Sequence, residues 1–306
     1  MNIAVLMGGP SAEREVSLTS GRACADALAR LGHAVTEIDL GPDVAARLTQ
    51  ARPDVVFNAL HGTPGEDGTV QGLMDLMGLT YTHSGLTASA IAIDKQLTKA
   101  VLTPLGLPMP GGLVVKSATL HERDPLPRPY VLKPVNEGSS VGVAIVAQDS
   151  NYGQPIARDA EGPWRRYAQL LAEPFIRGRE LTVAVLGGEA LAVTEMVPAQ
   201  GFYDYDAKYT DGLTEHRCPA PIPDDVAQAS MDIAALAHRA LGCKGVTRSD
   251  FRWDDSRGVE GLFLLEVNTQ PGMTQLSLVP EQARYRGIGF DELVGRIVDL
   301  ALSERA

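Results

Sequence analysis

Three polar residues on two late segments of the chain, beside an arginine, could hold a metal ion. In residues 246–251, VTRSDF, Arg248 and Asp250 are two apart and so share one face of a predicted strand. In residues 264–268, LLEVN, Glu266 and Asn268 share a face, while Leu265 and Val267 point the other way. If the two strands are neighbours, two carboxylates and an amide oxygen converge beside a guanidinium. An oxygen-only set of this kind suits Mg²⁺, above all Mg²⁺ shared with nucleotide phosphates. The competing reading is a surface patch of salt bridges. Apolar residues frame both carboxylates, which counts against it, because strand interiors rarely hold a charge without a partner.

A second group is Lys133 with the loop Asn136-Glu137-Gly138-Ser139-Ser140-Val141-Gly142. A lysine ending a buried strand supplies a point charge, and a Gly/Ser loop supplies backbone N–H groups and hydroxyls, so together they can cover phosphates. This is not a Walker A loop, nor is the first turn, GGPSAE, a dinucleotide fingerprint. Taken alone, a Gly/Ser hairpin is more often just a turn, and the lysine before it makes the two readings about even. Lys95 by itself reads as a solvated helix lysine, and Glu13 and His61 as a capping residue and a satisfied loop histidine. Glu173 and Glu180 flank Pro174-Phe175-Ile176, an apolar strand that could wall an adenine site and is otherwise core.

These side chains need a scaffold. Residues 3–7 read as a buried strand, followed by a Gly8-Gly9 turn and a helix from the Ser11 N-cap to about Leu31. Strands over 35–39 and 55–60 follow, and this strand–helix–strand rhythm predicts a parallel sheet with Gly8, Glu13 and His61 at its carboxyl edge. Glycines and prolines break the chain near 104–112 and 121–129. Strands are predicted over 130–135 and 143–146, a hairpin over 181–197 around Gly187-Gly188, a helix over 225–241, strands over 246–253 and 261–267, and a helix over 290–303. Residues 199–221 form a long polar segment rich in Tyr and Asp, of the kind that is functional or disordered.

The length, 306 residues, suits about two domains and a sizeable core. A net charge of −11 argues against nucleic acid as a partner but not against ATP, which a few local cations can hold. Three cysteines, Cys24, Cys218 and Cys243, suggest neither a disulfide framework nor a zinc site, and fit a reducing cytosol. The start MNIAVLMGG does not read as a signal peptide, and no apolar run approaches a membrane span.

The sequence resembles the D-alanine–D-alanine ligases along nearly its whole length. The matching stretches are GGPSAEREVSLTSG at 8–21, LHGTPGEDGTVQG at 60–72, YTHSG and ASAIAIDK within 81–95, VLKPVNEGSSVGV at 131–143, FYDYDAKY at 202–209, LGCKGVTRSDF at 241–251 and LLEVNTQPGMTQLSLVP at 264–280. The resemblance is to the shorter bacterial form. It implies an α/β chain with the ATP-grasp fold: an N-terminal parallel-sheet substrate domain (1–84), a central subdomain (85–174), and a C-terminal subdomain (175–306) with the metal site and a lid at 199–221. It further implies a cytoplasmic homodimer that makes the D-Ala-D-Ala dipeptide for peptidoglycan synthesis through an acyl phosphate, without a nucleic acid or membrane partner.

Carried over by position, Lys95 and Lys133 hold the α- and β-phosphates, the loop with Ser139 and Ser140 covers them, and Lys208 reaches the γ-phosphate. Glu173, Phe175 and Ile176 line the adenine site and Glu180 binds the ribose. Asp250, Glu266 and Asn268 hold two Mg²⁺ ions, for which Mn²⁺ can substitute. Glu13 binds the ammonium of the first D-alanine near His61. Arg248 and the Gly272 backbone stabilise the oxyanion, and Ser277 and Leu278 hold the carboxylate of the second D-alanine. Glu13, Ser139 and Tyr209 form a trio that pins the lid. Relatives that make D-alanyl-D-lactate tend to carry phenylalanine where this chain has Tyr209, so the dipeptide is the expected product.

Three features depart from the family. Pro174 replaces a frequent lysine beside the adenine, Leu276 replaces a more polar residue, and 111–130 and 147–170 are shorter or poorer in helical pattern. Three rival readings remain: a ligase of the same fold with other substrates, a non-catalytic ATP-binding protein, and an oxidoreductase. Against them stand, respectively, the GGPSAE and HGTPGEDG segments, the intact metal set, and the missing dinucleotide fingerprint.

Overall fold

In β1 (Asn2–Met7) every residue after the first is buried, because both faces of the strand are covered. A computed structural model describes residues 1–138, 141–198 and 214–303. β1 is the centre of a three-stranded parallel sheet, between β2 (Ala34–Asp39) and β3 (Val55–Asn58). The period-2 alternation divides its side chains. Ile3 and Val5 pack with Phe57 against α1 (Arg14–Arg30) and α8 (Phe290–Ser303), the last helix of the described chain. Ala4 and Leu6 pack on the other face against Leu48 of α2 (Val44–Ala51) and Met74 of α3 (Thr69–Leu76).

α1 starts later than expected. Ser11 does not cap it: the Ser11 hydroxyl accepts from Glu13 N–H (3.1 Å) and donates to His61 C=O (2.6 Å). It therefore ties together the two loops at the carboxyl edge of the sheet.

The second sheet is antiparallel, in the order β4-β7-β5-β6. It comprises β4 (Leu113–Lys116), β5 (Tyr130–Lys133), β6 (Ala144–Val146) and β7 (Gln169–Pro174). Tyr130, Leu132, Leu170 and Ala172 form its core. β7 ends at Pro174, so Phe175 and Ile176 lie in the connection that follows and not on an apolar strand.

The third sheet is also antiparallel, in the order β10-β9-β8-β11-β12. Its strands are β8 (Arg179–Leu186), β9 (Glu189–Pro198), β10 (Thr214–Arg217), β11 (Val246–Trp253) and β12 (Leu262–Asn268). The β8–β9 turn is Gly187-Gly188, with φ of 59° and 86°. Two successive positive φ values match the right-handed twist of a tight hairpin and favour glycine. α6 (Asp224–Ala240) carries Asp224 and Asp225 in its first turn and His238 and Arg239 in its last, which complements the helix dipole. Its apolar stripe of Val226, Ala234 and Ala237 packs on this sheet. So do Ala88 and Ala92 of α4 (Leu86–Ile93) and Leu102 of α5 (Lys95–Leu102). α7 (Leu278–Tyr285) follows β12. The fold is mixed α/β, with an N-terminal parallel sheet and two antiparallel sheets, as expected. Among the described residues no helix is long and apolar enough to cross a membrane.

Candidate active site

The two late strands are neighbours, as the metal reading requires. Asp250 on β11 stands directly opposite Glu266 on β12, and Arg248 opposite Asn268. Burial alternates along β11: Arg248, Asp250 and Arg252 are half-buried while Ser249, Phe251 and Trp253 are buried, and Asp250 and Arg252 line the cleft. The register slips between Asp250 and Phe251, whose partners are Glu266 and Leu264. Leu265 is the extra residue of this bulge. It lines the cleft beside Glu266, where simple alternation places it on the opposite face.

Arg248 donates to both oxygens of Asp250, from Nε at 2.8 Å and from Nη2 at 2.7 Å. Thr182 Oγ1 donates to Asp250 Oδ1 at 2.7 Å. These bonds fix the plane of the guanidinium and hold the carboxylate against the sheet. Among the described residues no three His, Cys, Asp or Glu side chains gather as a metal cluster. The donor set is instead two carboxylates and an amide, hard oxygen donors that suit Mg²⁺ sharing its shell with phosphates.

Above this edge the second and third sheets face each other across a cleft lined by Val131, Lys133, Phe175, Ile176, Glu180 and Glu266, among others. Its cations are already paired. Lys95 is the first residue of α5, capped by the Asp94 side chain, which accepts from Gln96 and Leu97 N–H. Its Nζ lies 3.3 Å from Glu266 and donates to Glu137 C=O at 2.6 Å. Lys133 ends β5 and meets Glu173 at 2.6 Å. Lys99, one turn after Lys95, reaches the other oxygen of Glu173 at 2.5 Å. Glu173 is only 3% exposed. Burial alone would push its carboxyl up, but Lys133 and Lys99 together hold it below the usual carboxylate range. Burial draws Lys99 down despite this partner. Farther along the cleft, Arg252 binds Glu180 at 2.7 Å, donates to Ile176 C=O, and stacks over the Phe175 ring at 5.7 Å.

The N-terminal sheet delivers the third wall. Glu13, at the start of α1, is buried, and its Oε2 lies 3.3 Å from where a side chain on Gly62 would begin. Gly138 of the Gly/Ser loop sits against Glu66, since a Cβ there would be 3.1 Å from Glu66 Oε1 and 4.0 Å from Glu13 Oε2. Burial, with Glu13 and Glu266 close by, pushes the Glu66 carboxyl up to about 8. The His61 ring is buried and held well below its usual pKa by that burial, so it is neutral. His61 Nδ1 lies 3.1 Å from Gln270 C=O, which can only accept, so Nδ1 carries the proton and Nε2 accepts from Ser20 Oγ at 3.3 Å.

The turn after β12 brings in Gly272, and Ser277 precedes α7. A Cβ on Gly272 would lie 2.9 Å from Ser277 Oγ, so a larger residue there would displace the Ser277 hydroxyl. The Ser277 hydroxyl accepts from Thr274 N–H at 3.0 Å, and Leu278 opens the helix. A helix N-terminus offers unpaired N–H groups to a carboxylate.

The structure thus brings Lys95, Lys133, Glu173, Phe175, Ile176, Glu180, Asp250 and Glu266 to one cleft. Arg248 and Asn268 adjoin it through β11 and β12, and Glu13, His61, Gly272, Ser277 and Leu278 lie on the N-terminal loops and the segment after β12. Ser139, Ser140, Lys208 and Tyr209 lie outside the described residues, as does most of the lid. Sequence reasoning missed three charged residues of the site. Lys99 follows Lys95 by one helical turn, and Arg252 continues the alternation of Arg248 and Asp250; those spacings were the available signals. Glu66 was marked only by its place in the glycine-rich GEDG stretch just after His61.

Comparison with known proteins agrees with this geometry. The family described as D-ala D-ala ligase C-terminus matches residues 104–299, and D-ala D-ala ligase N-terminus matches 41–84. A D-alanine–D-alanine ligase of Rhizorhabdus wittichii is 70% identical over 306 residues, covering 100% of this chain and 98% of its own. One from Sphingopyxis alaskensis is 71% identical over 302 residues, covering 99% and 98%. The crystal structure of D-alanine–D-alanine ligase from Bacillus anthracis complexed with ATP superposes with a TM-score of 0.83 at 27% identity, over 100% of this chain and 98% of that one. With paired carboxylates on adjacent strands, a lysine-lined cleft between two antiparallel sheets, and full-length relatives of one kind, the chain belongs to the D-alanine–D-alanine ligase family of ATP-dependent ligases.

Proposed function

We propose that the chain joins two D-alanines at the expense of ATP, with the residue roles that follow. The observation that carries this reading is the placement of Lys133 and Glu266 on facing sheets of one cleft, with the Arg248–Asp250 pair at its floor. ATP lies between the second and third sheets. Its adenine rests against Phe175 and Ile176 near Glu173, its ribose lies at Glu180, and its phosphates at Lys95 and Lys133 beneath the 138–142 loop. Lys208 meets the γ-phosphate. Asp250, Glu266 and Asn268 would hold two Mg²⁺ ions, which would supply charge stabilisation at the phosphates.

Glu13 anchors the ammonium of the first D-alanine, and neutral His61 walls that site. The carboxylate attacks the γ-phosphorus, ADP leaves, and an acyl phosphate forms. The amine of the second D-alanine, whose carboxylate lies at Ser277 and Leu278, then attacks the acyl carbon. Arg248 and the Gly272 N–H face the resulting oxyanion, a kind of preorganised donor commonly worth about 3–4 kcal/mol. The phosphate leaves with the electron pair of the broken C–O bond. The lid at 199–221, pinned by Glu13, Ser139 and Tyr209, keeps water from the acyl phosphate. The reading includes the three units 1–84, 85–174 and 175–306, a homodimer, and a reducing compartment, which the free thiols of Cys24, Cys218 and Cys243 fit.

Phosphate release from ATP and Mg²⁺ tests it. Release that depends on D-alanine, not L-alanine, with D-alanyl-D-alanine identified by mass, is the expected result. Turnover with D-lactate outcompeting D-alanine near neutral pH would overturn the dipeptide assignment.

A further inference from the structure

We propose that Gln270 is a positioning residue, which locks the 268–273 turn against the N-terminal sheet so that the Gly272 N–H is held at the acyl carbon. The inference rests on the ligase reading above. Gln270 is 1% exposed and uses all its polar groups. Its backbone N–H donates to Asn268 Oδ1 at 2.8 Å, and its C=O accepts from His61. Its side chain forms a two-way pair with Asn58 at the end of β3: Asn58 Nδ2 donates to Gln270 Oε1 at 3.1 Å, and Gln270 Nε2 donates to the Asn58 C=O at 2.5 Å. One residue therefore joins a metal ligand, the wall of the first amino-acid site and the N-terminal sheet.

Asn58 is itself fully committed. Its second amide hydrogen goes to Gly65 C=O at 3.1 Å, and its Oδ1 accepts from Leu60 N–H at 3.1 Å. The amide pair thus fastens the 60–66 loop, which carries His61 and Glu66, to the 268–273 turn. A second tie lies on the far side of Gly272: Met273 N–H donates to Ser20 Oγ at 3.3 Å, and Ser20 in turn donates to His61. The glycine is clamped two residues before and one residue after. A buried polar network of this kind rigidifies when every member is satisfied, and an oxyanion donor works only when it needs no reorganisation during reaction. The task calls for a side chain with a donor and an acceptor on a two-methylene reach; an apolar residue of equal size would fill the space and leave both Asn58 groups unpaired.

The test is steady-state kinetics on the full-length enzyme with Q270M, N58A and the double variant. Q270M keeps the volume and removes both amide bonds. The expected result is a fall in kcat of about 10–100-fold, the scale set by a misplacement of about 1 Å, with KM for ATP within about twofold of wild type, since no ATP contact is touched. In the double variant the fall in kcat should be less than the product of the two single losses, because the Asn58 Nδ2–Gln270 Oε1 bond is removed by both. A Q270M enzyme with wild-type kcat, or single losses that multiply in the double variant, would overturn the inference. If Q270M does not fold, Q270N, one methylene too short to span the pair, must show the same split between kcat and KM. Wild type run in parallel separates the two claims: wild type without dipeptide synthesis defeats the ligase reading, whereas an active wild type with an equally active Q270M defeats only this inference.

Discussion

In the nucleotide cleft, Lys95, Lys99, Lys133 and Arg252 each sit against a carboxylate; at the 268–273 turn, Gln270, Asn58, His61 and Ser20 meet as neutral groups. Under the proposed function, the contrast tracks what each region must do. A lysine that will hold a phosphate has to be charged, and a buried charge needs a counter-ion before the phosphate arrives. Glu173 and Glu266 serve as that counter-ion, and both can be re-partnered, by the second lysine or by metal. The turn has nothing to exchange. Its neutral amides and imidazole bond one another and not a charged group, so those bonds need no exchange when phosphate or metal arrives. One wall is built to change partners and the other to stay fixed.

The sharpest way to break this contrast is to remove a charge that must change partner. Glu266→Gln keeps the shape but loses the counter-ion of Lys95 and an anionic metal donor. Activity should fall by at least about 100-fold, since several kcal/mol of charge stabilisation are lost, and the Mg²⁺ concentration giving half-maximal rate should rise. Retention of wild-type Mg²⁺ dependence would show that Glu266 belongs to a salt bridge and not to a metal site.

Lys99→Met is the next largest expected effect. Glu173 then has only Lys133, and holds it more tightly against the arriving phosphate. KM for ATP should rise about 10-fold, equivalent to about 1.4 kcal/mol, with kcat within a few fold. A drop in kcat at unchanged KM would place Lys99 elsewhere in the reaction.

Glu66 gives a stability prediction whose sign follows from its raised pKa. The folded protein binds a proton that the unfolded chain releases at about 4.3, and keeps it to about 8. Stability is therefore lost as pH rises through that window. Without Mg²⁺ and nucleotide, Glu66→Gln should gain melting temperature over wild type between pH 5 and pH 8. Parallel pH profiles for the two proteins would refute it.

The smallest effect belongs to Ser11→Ala, which removes the hydroxyl that joins Glu13 N–H to His61 C=O. Urea unfolding should show a loss of about 1 kcal/mol. A loss too small to measure would mean that the neutral wall does not depend on this bridge.

The same contrast decides what could be read from the sequence. The meeting of Asp250 with Glu266 and of Arg248 with Asn268 was legible because polar residues at period 2 inside apolar strands are unusual and call for a partner. The cleft position of Leu265 was not legible, because nothing in LLEVN marks the slip in register that creates the bulge. Lys99 was hidden because a lysine on an amphipathic helix ordinarily faces water. Phe175 and Ile176 line the cleft but lie in a connection and not on the expected strand, since an apolar run carries no signal for where pairing stops. Gln270 was harder still. Neutral amides at strand ends read as turn residues, and its partner Asn58 lies 212 positions away. Ser20 and Ser11 belong to the same class, small hydroxyls whose role appears only when two loops meet. Charge announces itself locally, whereas the neutral wall exists only through long-range contacts.

The most direct test of the central claim follows oxygen. D-alanine labelled with ¹⁸O in both carboxylate oxygens is given to the enzyme with unlabelled ATP and Mg²⁺, and the released phosphate is analysed by mass. An acyl phosphate predicts that each phosphate carries one ¹⁸O, because the carboxylate oxygen that attacked phosphorus departs with it. Phosphate free of label alongside dipeptide formation would contradict the mechanism, since the carboxylate would then have been activated without ever bonding to phosphorus.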